Sequence, residues 1–186
     1  LNIKLKYVDL GGGFGIKYSK NDKKINLNNY AKLVYDFKKK LNCNIIFEPG
    51  RSLVGNTGVL VSKIQYIKKG LNKNFIIIDA GMNDFMRTAL YDASHDIVPI
   101  IKTKKKYQEA IEFVGPICET TCKFIKYKKY QKIKEGDFVA ITNVGAYGSS
   151  LSSNYNTKPL IAEILVSKNI FKIIRKKQDL LKLINS

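Results

Sequence analysis

The chain is short of acid, cysteine and histidine, and no long apolar run interrupts it. Only Cys43, Cys118 and Cys122 are present. So sparse and odd a set excludes a disulfide scaffold, and with no leader-like segment in view the expected setting is the reducing cytoplasm. One histidine, His95, and the pair Cys118 and Cys122 do not supply the donors of a four-ligand zinc site, so no metal is expected. His95 reads as a structural hydrogen-bonding residue, and no motif supports a Ser/His/Asp triad. No apolar stretch reaches membrane-spanning length, and no membrane partner is expected. Acid is scarce, with 15 Asp and Glu against 33 Lys and Arg. That excess raises nucleic acid as a partner. The lysines, however, are spread beside abundant Ile and Asn, including Lys102 to Lys106 and Lys123 to Lys132, and no recognisable motif interleaves them with base-stacking aromatics. The pattern reads as compositional bias, and no nucleic-acid partner is expected.

What is present suffices for a core. Hydrophobic residues make up 45% and aromatics 11% of the 186 residues, which fits one folded domain or a domain with a small companion. The chain opens at Leu1 on a strand-like segment without Met, and the expectation is a partial sequence. Ile3 to Leu10 read as a short buried strand ending in Gly11-Gly12-Gly13-Phe14-Gly15, where residues without a Cβ allow a tight turn or close backbone approach. From Leu27 to Leu41 apolar residues recur at helical spacing (Tyr30, Leu33, Val34, Phe37, Leu41), with Asn26 or Asn28 as cap, and Asn44 to Phe47 form another strand. Strand, helix, strand predicts a parallel unit. Its two following loops, the glycine run and Glu48-Pro49-Gly50-Arg51, then share the carboxyl-end side of the sheet, where ligands gather in such folds.

Beyond Val59 the texture becomes short β-rich runs: Val59 to Ile67, Phe75 to Asp79, Ile111 to Val114, Asp137 to Thr142, Leu160 to Val166 and Ile170 to Ile174. These predict a mostly antiparallel β domain. Lys177 to Ile184 reads as a short amphipathic helix with Leu180, Leu181 and Ile184 on one face. No internal repeat is found.

The glycine run can cradle a phosphate, because backbone N–H groups converge on an anion where no Cβ intervenes. It fits neither GxGxxG nor a Walker pattern, so by itself a plain tight turn is an equal reading. Further short strings follow in order: Val8-Asp9-Leu10-Gly11-Gly12-Gly13, Glu48-Pro49-Gly50-Arg51, Asp79-Ala80-Gly81-Met82-Asn83-Asp84, Arg87-Thr88-Ala89-Leu90-Tyr91, Gly115-Pro116-Ile117-Cys118-Glu119 and Gly145-Ala146-Tyr147. In this order and spacing, to about Val166, they resemble the diaminopimelate decarboxylase family.

That resemblance implies an alanine-racemase-like (β/α)8 barrel binding pyridoxal phosphate, joined to a C-terminal β-sandwich or barrel domain, in a homodimer. Residues 1–57 would be the last strands of the barrel and residues 58–186 the β domain. The implied reaction converts meso-2,6-diaminopimelate to L-lysine and carbon dioxide, the last step of lysine biosynthesis. By the same resemblance Glu48 keeps the cofactor's pyridine nitrogen protonated, and Pro49, Gly50 and Arg51 complete its loop against the cofactor. Gly13 and Gly50 offer amides to the phosphate, with the Tyr147 hydroxyl near that group and bordering the substrate. Arg51, Arg87 and Tyr91 match the positions that hold the distal carboxylate, and Glu119 the one that meets the distal ammonium. Arginine suits a carboxylate because its planar fork offers paired donors. Cys118 corresponds to the proton donor, which with Glu119 crosses the dimer interface.

The lysine that relatives join to the cofactor as a Schiff base, and the histidine that stacks on its ring, have no matching motif here. The chain alone is therefore expected to be inactive, either as a truncated product or as a short relic that complements another piece. Two alternatives remain: a decarboxylase of the same fold acting on ornithine, arginine or a carboxylated polyamine such as carboxynorspermidine, and a non-catalytic decarboxylase-like or basic binding module.

Overall fold

A computed structural model describes residues 4–18, 22–23 and 25–185; Leu1 and Ile3 lie outside them. Strands β1 (Tyr7–Asp9) and β2 (Asn44–Ile46) pair in parallel, Val8 opposite Ile45, with helix α1 (Leu27–Leu41) between them in sequence. This is the expected strand, helix, strand unit. Asn26 caps the helix, its Oδ1 accepting from the Asn29 N–H at 3.1 Å, and Lys38, Lys39 and Lys40 crowd its last turn, where a cation complements the helix dipole. Among the described residues β1 is shorter than expected. Its ladder extends only as far as β2 offers a partner, and after the Leu10 N–H reaches Ile46 O the glycine loop departs.

Helix α2 (Arg51–Val54) and a 3-10 turn (Gly55–Thr57) lead into a six-stranded sheet built from β3 (Leu60–Lys68), β4 (Lys73–Ile78), β5 (Ile97–Pro99), β6 (Ala110–Val114), β7 (Lys123–Tyr127) and β8 (Phe138–Ile141). The spatial order is β5-β8-β3-β4-β6-β7; β4 and β6 run parallel and every other pair antiparallel. Alternate residues enter the core, as the period of two requires: Asn74, Ile76 and Ile78 from β4, Ile111 and Phe113 from β6. Phe85, Ile64, Val139 and Ile141 are among the other side chains of that core.

Strands β5 and β7 and helix α3 (Arg87–Tyr91) were not legible as elements. In β7 only Phe124 is buried and Lys123 and Lys126 stay exposed, so the sequence reads as a charge run. Both strands are sheet edges, where lysine and proline (here Pro99) suppress pairing with another chain. Strands β9 (Glu163–Ser167) and β10 (Ile170–Arg175) form a separate antiparallel hairpin, and α4 (Leu180–Ile184) begins later than expected because the Asp179 carboxylate caps it at the Leu181 N–H, 2.9 Å away.

The parallel unit and the sheet meet through backbone. Gly145 donates to Gly55 O at 3.1 Å and Val144 to Gly58 O at 3.0 Å, while the Asn143 side chain reaches Lys17 O at 3.1 Å. A Cβ on Gly145 would stand 1.9 Å from Val54 O, so only glycine permits this approach. No described helix is long and apolar enough to cross a membrane.

Candidate functional site

The joint gathers residues that lie far apart in the sequence. After β4, Asp79 Oδ1 accepts from Ser62 Oγ at 2.5 Å and from the Lys63 N–H at 2.9 Å, which pins the strand end. A tight turn follows: the Gly81 N–H donates to Asp84 Oδ2 at 2.8 Å and the Asp84 N–H returns to Gly81 O at 3.0 Å. Burial raises the Asp84 carboxyl above the usual range. This turn launches α3 with Arg87 at its first residue, only 6% exposed.

The Arg87 guanidinium sits among three tyrosine rings. Its carbon lies 5.6 Å from the Tyr18 centroid, 5.8 Å from Tyr91 and 5.5 Å from Tyr147, within cation–π range. Arg87 Nη2 donates to the Tyr18 hydroxyl at 3.3 Å and Nε to His95 Nε2 at 3.4 Å. Arg51 rests on the same Tyr18 ring at 5.7 Å. Among the described residues no ion pair engages either arginine; the ion pairs there join Lys73 to Glu112 and Arg175 to Glu163. A buried guanidinium without an acid is costly unless an anion arrives. His95, 1% exposed, packs edge-on against Tyr18 and Phe85 at 4.5 and 4.6 Å. Its burial, opposed by a hydrogen bond to Thr142 O and reinforced by Arg87 and Arg51, holds its pKa below the ordinary value.

Beside the arginines, the two loops after β1 and β2 are locked together. The Glu48 N–H donates to Gly11 O at 2.9 Å, and a Cβ on Gly12 would lie 2.4 Å from Glu48 O. Asp9 Oδ1 accepts the Gly11 N–H at 2.7 Å, and Gly13 follows at φ 81°, a left-handed conformation natural to glycine. A Cβ on Gly50 would stand 3.9 Å from the Tyr147 hydroxyl. Tyr147 itself adopts φ 60°, uncommon for a bulky residue and a pointer to function where the surroundings enforce it.

The sequence-derived residues Gly50, Arg51, Arg87, Tyr91 and Tyr147 are thus brought together, with Gly13, Glu48 and Pro49 on the two loops alongside. The Glu48 side chain is exposed, and among the described residues no hydrogen bond engages it. Cys118 and Glu119 are not joined to this cluster by any hydrogen bond among the described residues. They are exposed in the turn after β6. Cys122 is the buried thiol of that turn, accepting from the Met82 N–H at 3.4 Å. Tyr18 was missed. It lies in a polar loop outside every motif string, and nothing local marks it.

Among the described residues the N–H groups of Gly13 and Gly50 have no hydrogen-bond acceptor, and the Tyr147 hydroxyl faces Gly50. Donors so placed fit a phosphate. The cluster rides on a chain whose residues 20–145 match the family described as "Pyridoxal-dependent decarboxylase, C-terminal sheet domain", and the chain belongs to that family. Within it, the similarity runs to diaminopimelate decarboxylases. The Aquifex aeolicus enzyme is 41% identical over 94% of this chain and 41% of its own length. The crystal structure of the Helicobacter pylori enzyme complexed with L-lysine superposes with a TM-score of 0.86, at 39% identity over 97% of this chain and 44% of that one. That of the M. jannaschii enzyme in co-complex with L-lysine gives 0.89, at 36% identity over 96% and 42%. The chain therefore spans less than half the length of these relatives.

Proposed function

We propose that this chain forms part of a diaminopimelate decarboxylase, which removes carbon dioxide from meso-2,6-diaminopimelate to give L-lysine. In this reading residues 1–57 are the last strands of a (β/α)8 barrel and residues 58–186 the C-terminal β domain. The observation that carries it is Arg87: a buried guanidinium, stacked among tyrosines, with Arg51 beside it and no ion pair to an acid among the described residues. A two-headed amino acid needs its distal carboxylate gripped while the other end reacts, and two forked donors on one aromatic ring suit that task. Ornithine has no distal carboxylate, so such a pair would be idle in a diamine-forming enzyme.

Bound pyridoxal phosphate would supply an electron sink for the pair released when carbon dioxide leaves. Gly13 and Gly50 would donate their N–H groups, and Tyr147 its hydroxyl, to the phosphate. Pro49 would shape the loop against the cofactor, and Glu48 would hold a proton on the pyridine nitrogen. Arg51, Arg87, Tyr91 and Tyr147 would enclose the distal carboxylate. Cys118 would return a proton to the α-carbon and Glu119 would meet the distal ammonium, both in the neighbouring subunit's site of a homodimer. Their exposed turn, apart from the arginines, supports that division. The free thiols support a cytoplasmic setting.

Alone, these residues would bind ligand without turnover, since no lysine lies in a motif that matches the cofactor-binding one. The test is twofold. The chain should bind meso-diaminopimelate in preference to L-ornithine by calorimetry, and lysine should form when the N-terminal half of a relative is added in trans. Equal affinity for both amino acids would remove the substrate assignment.

A further inference from the structure

Two residues that the reaction does not itself call for touch the arginine pair. Tyr18 carries both guanidinium groups on its ring and accepts from Arg87 through its hydroxyl. His95 accepts from Arg87 Nε at Nε2, which obliges its other nitrogen, Nδ1, to donate to Thr142 O at 3.0 Å. Tyr18 and His95 also pack on each other.

We propose that Tyr18 and His95 are positioning residues: they hold Arg51 and Arg87 as one preset pair for the substrate's distal carboxylate, with His95 required in its neutral Nδ1–H form. The inference rests on the reading of these arginines as carboxylate-binding groups. Its physical basis is donor matching. Arg87 Nε can only donate, so the imidazole nitrogen facing it must be bare. Protonation would set a second donor and a second positive charge against the guanidinium.

The groups facing His95 all oppose that proton except one. Arg87 comes from α3 and Arg51 from α2, Tyr18 from the loop after β1, and Phe85 from the turn before α3; the Thr142 carbonyl at the end of β8 is satisfied by Nδ1–H in either form. Asp96, next in sequence, turns Oδ1 to the Tyr127 hydroxyl at 3.3 Å. Carboxylate binding should therefore weaken as the pH falls through the His95 pKa of the folded protein, which lies below the ordinary histidine value.

His95 is the one histidine in the chain, so its ring nitrogens give unambiguous signals in long-range proton–nitrogen NMR of the 186-residue protein. The expected result is the Nδ1–H tautomer, titrating below the ordinary value. Meso-diaminopimelate affinity should fall about tenfold once His95 is charged. His95→Gln, which retains an acceptor but no proton to gain, should bind with a flattened pH profile, whereas His95→Phe should bind about tenfold more weakly at every pH. Tyr18→Phe keeps the ring and loses the acceptor, Tyr18→Leu loses both, and affinity should drop in that order.

An Nε2–H tautomer, a pKa at or above the ordinary value, or an unaltered pH profile in His95→Phe would overturn the proposal. If the unaltered chain binds no diaminopimelate at any pH, the substrate reading fails, and exchange of the Arg87 Nε–H decides the positioning role. It should accelerate as His95 titrates and in His95→Phe; unchanged exchange overturns it.

Discussion

Arg87 concentrates the chemistry of the site in one side chain: its planar fork meets Tyr18 and His95 on one side and stands among aromatic faces on the others. Lysine would keep the charge and lose the fork. Arg87→Lys is expected to weaken meso-diaminopimelate binding by about tenfold or more while leaving affinity for pyridoxal phosphate unchanged, measured by calorimetry and equilibrium dialysis. Tyr147→Phe should do the reverse. It preserves the ring beside Arg87 and removes the hydroxyl that faces Gly50, so phosphate affinity should fall several-fold with little effect on the amino acid. At this scale Arg51, Arg87, Tyr91 and Tyr147 were legible because each sits in a short string of distinctive residues. Tyr18 was not, since a tyrosine in a polar loop carries no local signal; its role comes from what the fold lays upon it.

At the scale of elements, the joint between the parallel unit and the sheet is made by glycines. Gly145 presses on Val54 O, and a Cβ on Gly58 would stand 2.9 Å from Gly145. Gly145→Ala is expected to cost about 1–3 kcal/mol through overpacking, which lowers the melting temperature by roughly 2–4 °C per kcal/mol in a chain of this size. It should also part Gly50 from Tyr147, so ligand affinity falls with stability; an unchanged melting curve followed by circular dichroism would refute the close-contact argument. Helix α1, the first two strands and most of the sheet were readable from periodicity, and the helix cap as Asn26 or Asn28, of which the fold uses Asn26. Strands β5 and β7 escaped because edge strands expose the lysine and proline that make a sequence read as loop. Helix α3 escaped because it has only five residues, too few to show a period.

For the molecule as a whole, pH acts through His95 and Asp84 with opposite signs. His95 has a depressed pKa when folded, so the unfolded chain takes up its proton first as the pH drops through about 6.5. Stability from this group is complete above that value and declines below it. Asp84, raised by burial, is protonated more readily when folded, and its effect turns the other way nearer the carboxylate range. The urea midpoint is therefore expected to fall between pH 7 and pH 6, and His95→Gln should flatten that slope. Charge and apolar surface also compete. Leu33 is 69% and Phe171 72% exposed, on α1 and β10, while a net charge of +18 keeps copies apart. Added salt screens the charge and leaves the apolar faces, so sedimentation should detect association that grows with ionic strength. A chain that stays monomeric in high salt would mean that these faces do not drive assembly.

The amino-acid sequence by itself determined the family, the parallel unit with a loop after each of its two strands, and most of the residues of the candidate site, because these are written in local strings and short periods. Tertiary structure decided which of them meet. Cation–π and hydrogen-bond contacts act over a few ångströms between residues far apart in the chain, 69 positions for Arg87 and Tyr18 and 126 for Asn143 and Lys17, and a one-dimensional string carries no record of that proximity.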